Sequence, residues 1–334
     1  MRKKILTEQL IVGMFVELPL SWTEHPFLKN RFLIKNQDQI KKIRACGVKQ
    51  VMIDTELGDP KALTADQDNA SSEIVLDPKG QEIPAIWNPE TLVPDALFEA
   101  MSDAKMASEL KAKAVYDHSK TMIERLLETP TAENIVTSKK VIASITDLVL
   151  TDDQTASNML RITSHDFYTY THSVNVGITS IMLSKALFKN SDAHNLHEMG
   201  AGFFLHDLGK VMVDADVINK PGKLTDAEMA HMRIHPFQGF KILKHANALS
   251  DECRCIVMQH HEYDDGSGYP KHLKGKEIHR YAKICCIADV FDALTSERSY
   301  KKAMKPFDAL KLMQQQMSAH FDKELFAEFV LLFK

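Results

Sequence analysis

Residues 201–210 read Ala201-Gly202-Phe203-Phe204-Leu205-His206-Asp207-Leu208-Gly209-Lys210. An apolar run ends on an imidazole and a carboxylate, and a glycine then ends or bends the helix. The run is far too short for a membrane span and suits a buried helix. Adjacent side chains on a helix point about 100° apart, so His206 and Asp207 can serve two metal ions, with Asp207 bridging them through its two oxygens. A bare His-Asp pair occurs by chance in many proteins, so its weight depends on its surroundings.

Those surroundings are rich in histidine. Twelve of the 15 histidines lie between His165 and His279, where a uniform scatter would give about five. Imidazole and carboxylate without suitably spaced thiolates favour first-row divalent metals such as Mn, Fe, Ni or Zn. His260-His261 is a second adjacent pair, on a helix expected to end near Glu262. His172 follows Tyr168-Thr169-Tyr170-Thr171 and precedes the apolar Val174, Val176 and Ile178; a lone histidine there is more often a hydrogen-bonded core residue. His231 and His235 have the i,i+4 spacing that can hold one metal, but the glutamate of a zinc-protease motif is missing between them. His194 and His197, in a polar stretch, read as solvated surface. Asp289 lies in an otherwise apolar helix, where a carboxylate is costly to bury without a cation, and Asp292 follows one turn later on the same face.

Farther out, a length of 334 residues predicts two domains. The fold class expected is α+β overall, a small β-rich or α/β N-terminal domain followed by an all-α domain. In the first 55 residues, Ile11–Leu18 and Val48–Ile53 read as strands and Gln37–Ala45 as a helix with Ile40 and Ile43 on one face and Gly47 at its C-cap. Residues 55–85 lose periodicity and hold seven acidic residues against Lys61 and Lys79, an acidic loop inside a domain over 1–90. A connecting helix is expected in 91–130, with helical spacing over 96–127, and the larger domain in 131–334. Helices are predicted there at 133–150, 155–164, 166–189, 193–208, 225–246, 250–262, 279–295, 305–318 and 322–333.

A net charge of −4 argues against a DNA or RNA polymer as partner. No window offers a membrane helix, and the run Leu10–Val16 after Arg2-Lys3-Lys4 is short for a signal peptide and lacks a cleavage pattern, which predicts a cytoplasmic protein. Cys46, Cys253, Cys255, Cys285 and Cys286 form neither a disulfide framework nor a zinc knuckle and read as buried thiols.

Taken in order, His206-Asp207-Leu208-Gly209-Lys210, Lys220-Pro221-Gly222-Lys223-Leu224, His260-His261-Glu262 with Asp265-Gly266-Ser267-Gly268-Tyr269-Pro270, and Asp289 with Arg298 and Tyr300 resemble an HD-GYP domain, a subgroup of the HD metal-dependent phosphohydrolases. The resemblance covers about 130–334, and residues 1–55 more weakly resemble the small domain of unknown function often found before HD-GYP domains. It implies His172, His206, Asp207, His235, His260, His261 and Asp289 as metal ligands, and leaves His231 without a role. Asp207 and Lys210 are the implied catalytic residues. Gly268, Tyr269 and Pro270 form the loop near the substrate, and Arg298 and Lys301 match phosphate-contacting positions; Asp292 is grouped with these substrate-binding residues. Some members carry a glutamate, where Tyr168 stands here, that helps hold a third metal, so two ions are expected. Tyr263 and Asp264 depart from the family pattern, and the extra negative charge is expected to weaken dinucleotide affinity or alter base preference.

The activity so implied is hydrolysis of cyclic di-GMP to pGpG, and onward to GMP, by metal-activated hydroxide at a dinuclear site. Fe or Mn is the expected metal, with Ni, Zn and Mg as alternatives. Lys210 would assist the leaving oxygen, and Arg298 and Lys301 would offset phosphate charge. Two other readings stand beside it: hydrolysis of another cyclic dinucleotide such as 3′3′-cGAMP, and a catalytically slow sensing module. A homodimer or a signalling partner would use the N-terminal domain or the 96–127 helix, and no chemistry is assigned to that domain.

Overall fold

The computed structural model describes residues 2–19, 31–34, 37–46, 48–54, 57, 87–162, 169–189, 191, 193–220, 222–297 and 302–334. Two compact units result, Met1–Trp87 and Asn88–Lys334. The first contains β1 (Arg2–Leu6), β2 (Phe15–Glu17), β3 (Arg31–Leu33), α1 (Gln37–Ala45) and β4 (Gln50–Asp54), and its strands form an antiparallel sheet in the order β1-β4-β2-β3. Alternation along β4 buries Val51 and Ile53, which join Val16, Ile34, Ile40 and Ile43 in one core. Opposite charges at the paired positions Glu17 and Arg31 lie 3.2 Å apart, a cross-strand pair that favours the register. Strand β2 is shorter than the Ile11–Leu18 expected, because the chain turns at Val12-Gly13. Gly47 and, apart from Leu57, the acidic stretch 55–85 lie outside the described residues.

The second unit is helical. Its elements are α2 (Pro89–Leu92), α3 (Asp95–Ser102), α4 (Ser108–Glu128), α5 (Ala132–Thr151), α6 (Asp153–Ile162), α7 (Thr169–Leu187), α8 (Leu196–Phe204), α9 (Ala215–Ile218), α10 (Asp226–Met232), α11 (His235–His245), α12 (Asp251–Gln259), α13 (Arg280–Thr295), α14 (Pro306–Gln316) and α15 (Lys323–Leu331). Short polar residues start several of them. The Asn195, Thr225 and Ser250 side chains accept from the backbone of Glu198, Glu228 and Cys253, satisfying donors that a helix start leaves unpaired. Helices α7 and α13 pack on each other and are buried on nearly every side, from Thr171 to Ser184 and from Ala282 to Thr295. A helix buried around its whole circumference belongs in the middle of a fold, and this pair forms the platform for the site.

The stretch 96–127 is not one helix. Asp103 accepts from the backbone of Lys105 and Met106, a turn that separates α3 from α4. The apolar positions Val115, Met122, Ile123 and Leu126 of α4 are buried within this unit, whereas Leu110 on the same helix is exposed. Helix 225–246 is likewise divided at Arg233-Ile234, which lets His235 begin α11. No cysteine among the described residues is paired, and Cys253, Cys285 and Cys286 are buried on helices.

Candidate metal centre

Five elements of the helical unit deliver seven ligand-type side chains to one place. His172 comes from the first turn of α7, His235 from the start of α11, and Asp289 from the middle of α13. Both adjacent pairs lie in turns rather than on helices: His206-Asp207 follows the end of α8, and His260-His261 caps and leaves α12. The expected helical splay between neighbours is thus replaced by the wider freedom of a chain leaving a helix. Beyond Asp207 the backbone tightens into a 3-10 turn over Leu208–Met212. A Cβ on Gly209 would lie 1.9 Å from the His235 carbonyl oxygen and 2.4 Å from the Gly239 nitrogen. Only glycine lets α11 approach this closely, and that approach sets His235 against Asp207.

The two oxygens of Asp207 face different histidines. Oδ1 is 3.3 Å from His235 Nε2 and 3.8 Å from His260 Nε2, while Oδ2 is 3.4 Å from both His172 Nε2 and His206 Nε2. Asp289 repeats the arrangement, with Oδ1 3.2 Å from His172 Nε2 and Oδ2 3.4 Å from His261 Nδ1. The ligand atoms form two groups, Asp207 with His235, His260 and His261, and Asp207 with His172 and His206, each within 4.8 Å. His172, His206, His235, His260 and Asp207 are all buried.

Charge and tautomer are defined by the same neighbours. Burial works to raise the Asp207 carboxyl, but the Lys210 ammonium, 2.5 Å from Oδ2, and the surrounding imidazoles hold it well below the usual carboxylate range. Asp289, also opposed by burial, is held far below that range by His172 and His261. Burial pushes His235 down to about 3 and His261 down to about 4, and His260 well below an ordinary imidazole, so these rings are neutral near pH 7. His172 goes the other way: burial lowers it, yet Asp207, Asp289 and Asp292 together hold it well above the ordinary value.

These features test the donor set for a metal. His235 Nδ1 meets the Met232 carbonyl at 2.8 Å and His260 Nδ1 the Val257 carbonyl at 3.0 Å. A neutral ring that donates from Nδ1 presents a bare lone pair at Nε2. The two Nε2 atoms face each other at 3.2 Å, and the buried Asp207 Oδ1 beside them has no hydrogen-bond donor. Converging lone pairs and carboxylate oxygens with no proton between them fit a divalent cation, and backbone carbonyls behind the rings orient them as in metal sites.

Around this centre the other expected residues fall differently. Tyr269 stacks on His261 with ring centroids 4.6 Å apart, and its backbone N–H donates to the His261 carbonyl. Gly268 is required because a Cβ there would meet the His261 oxygen at 2.3 Å and the Tyr263 nitrogen at 2.4 Å. Pro270 continues this loop, and the Glu262 carboxylate, whose importance the sequence did not reveal, accepts from the backbone of Lys271 and Leu273 and ties it down. Asp292 does not line the substrate side. It is buried and accepts from His172 Nδ1 at 2.7 Å and from Asn175 Nδ2 at 2.7 Å, which places it behind the His172 ring. Asp264 is engaged by Lys283 at 2.8 Å, which balances the charge expected to disturb a bound dinucleotide. His231 accepts from the Asp214 backbone, away from the cluster, and His197 pairs with Asp147 at the surface. His194 is half-buried rather than solvated, since it stacks on Phe188 and meets the Tyr281 hydroxyl. Tyr168, Arg298, Tyr300 and Lys301 lie outside the described residues.

A family model described as HD domain matches residues 154–325, and one described as a domain of unknown function matches 2–140. A cyclic di-GMP phosphodiesterase of Pseudomonas aeruginosa is 33% identical over 99% of this chain and 76% of its own length. The chain belongs to the HD domain family. His206-Asp207 and Gly268-Tyr269-Pro270 mark this HD-domain protein as the HD-GYP form. The cyclic di-GMP phosphodiesterase response regulator RpfG of Xanthomonas campestris is 34% identical over 55% of the chain, which spans 49% of that relative's length. A 3′3′-cGAMP-specific phosphodiesterase of Vibrio cholerae is 36% identical over 48% of the chain and 34% of its own length. In fold, the HD-domain chain is similar to a solved HDG“Y”P protein from Bdellovibrio bacteriovorus, with a TM-score of 0.60, 14% identity, and coverage of 100% of this chain and 99% of that one. Among the described residues no helix is long and apolar enough to cross a membrane.

Proposed function

We propose that this chain is a metal-dependent phosphodiesterase that opens cyclic di-GMP to linear pGpG and carries it on to GMP. The observation that supports the reading is the position of Asp207, each of whose oxygens faces its own set of imidazoles. One ion would be held by His172, His206, Asp207 and Asp289, the other by Asp207, His235, His260, His261 and Asp289. When bound, such ions, Fe or Mn by this ligand set with Ni, Zn and Mg as alternatives, supply Lewis acidity that neutralises a phosphodiester and acidifies water.

The remaining work falls to the chain's own groups. Lys210, held beside Asp207, would donate a proton to the departing 3′-oxygen. Burial and the nearby Asp289 carboxylate raise the Tyr269 phenol, so it stays a neutral donor at working pH, with its ring as one wall for a base. Arg298 and Lys301 are assigned the phosphate charge. The chain's net charge of −4 is compatible with an anionic substrate because attraction is local to these groups.

Relatives named as cyclic di-GMP and as 3′3′-cGAMP phosphodiesterases both match, so the second dinucleotide is the competing substrate. Product analysis with cyclic di-GMP, 3′3′-cGAMP and pGpG under Mn, Fe and Mg tests the reading. Linear pGpG followed by GMP is expected, and no hydrolysis of either cyclic dinucleotide under any metal would overturn it.

A further inference from the structure

One buried polar group of the helical unit is unused by the chemistry above. The Tyr116 phenol, on α4, is fully buried and donates to Asn175 Oδ1 at 2.6 Å. Asn175 Nδ2 donates to Asp292 Oδ1 at 2.7 Å, and His172 Nδ1 donates to Asp292 Oδ2 at 2.7 Å. Four side chains from α4, α7 and α13 thus form one hydrogen-bonded chain, and Ser296 Oγ, 3.2 Å from Asp292 Oδ2, adds a further donor to the same carboxylate.

The roles along this chain are chemically determined. A carboxylate only accepts, so Asp292 requires the amide nitrogen of Asn175 and the Nδ1 proton of His172. The phenol favours the amide face that puts oxygen toward Tyr116 and nitrogen toward Asp292. With its proton committed at Nδ1, His172 turns Nε2 toward Asp207 Oδ2 and Asp289 Oδ1. Partners behind a ligating imidazole fix its ring and tautomer and are worth about 10–100-fold in metal affinity.

We infer that Tyr116 is a positioning residue for the metal centre, acting through Asn175 and Asp292 on the His172 ring. The inference rests on the metal-centre reading of the cluster. It also gives the segment matched by the model of unknown function, 2–140, a direct tie to the site, since α4 lies inside that match. A ligand or partner that shifts α4 would alter how firmly the ion beside His172 is held.

The test is Mn²⁺ titration of the full chain after chelator treatment, following free Mn²⁺ by electron paramagnetic resonance. Tyr116→Phe preserves the ring and deletes only the hydroxyl. It is expected to weaken one of the two bound ions by about tenfold, and leave the other within about twofold. The Mn²⁺ concentration for half-maximal activity should rise in step, while kcat at saturating Mn²⁺ stays near wild type. In an Asn175→Ala background the same substitution should add nothing, because the chain is already broken. Overlaying titrations of wild type and Tyr116→Phe would overturn the inference alone. So would equal weakening of both ions with a lowered melting temperature of the metal-free protein, which would signal general loosening. A wild-type chain that takes up no divalent ion would overturn the metal-centre reading and this inference with it.

Discussion

At Asp207 a single carboxylate serves both histidine groups, so no neighbour can replace it. Asp207→Ala is expected to leave a folded protein with less than about a tenth of wild-type hydrolysis, measured on cyclic di-GMP with added manganese; full activity would exclude a bridging role. Gly209→Ala acts on the same atoms through the backbone. Its methyl group would displace the His235 carbonyl, so bound metal should fall sharply while the helical content by circular dichroism is retained. Four of the clustered side chains were legible, since His206-Asp207 and His260-His261 stand out in any reading. His172 and His235 became distinguishable from core histidines only through the family resemblance. What stayed hidden was direction: nothing in Ile287–Asp292 says that Asp289 faces the ligands while Asp292, one turn away, faces the back of His172.

Helix spans from α5 onward were largely readable, because apolar periodicity and caps such as Thr131, Thr225 and Ser250 are local signals. The breaks were less so. Asp103 interrupts a run of good helix formers, and Arg233-Ile234 ends α10 without glycine or proline before the break. Loop bracing is still less local. Lys283, on α13, lies 2.8 Å from Asp264 and 3.3 Å from Asp322, while Tyr263 stacks on His320 with centroids 4.2 Å apart. The segment before α15 thereby clamps the loop that carries Tyr269. Lys283→Met leaves two carboxylates facing each other and is expected to cost about 2 kcal/mol of stability, seen as a lower melting temperature. KM for the dinucleotide should rise with bound metal unchanged; loss of metal in parallel would mean that the clamp supports the ligands rather than the loop.

At the scale of the whole molecule, the imidazole cluster couples folding, metal and pH. In chelator-treated protein His235 and His261, at about 3 and about 4, and His260, also lowered by burial, protonate far less readily than in an unfolded chain, where histidine titrates near 6.5. Below about pH 6.5 the unfolded state therefore binds more protons, and stability falls as pH drops toward about 4, by up to ~1.4 kcal/mol per unit for each such ring. His172, held above its ordinary value by Asp292 and its neighbours, contributes stability that is complete below about 6.5 and fades as pH rises through its folded value. Metal-free stability should thus peak near pH 6.5. Metal binding needs the same rings unprotonated, so a saturating ion at 100 times its Kd should add about 2.7 kcal/mol at pH 7.5. That increment should shrink by about 1.4 kcal/mol per pH unit on acidification to pH 5, because His172, held above its ordinary value, carries a proton that a bound ion must displace, while His235, His260 and His261 stay largely neutral over this range. Thermal melts with and without Mn²⁺ at pH 7.5, 6.5 and 5 measure both effects, and an increment independent of pH would remove His172 from the ligand set.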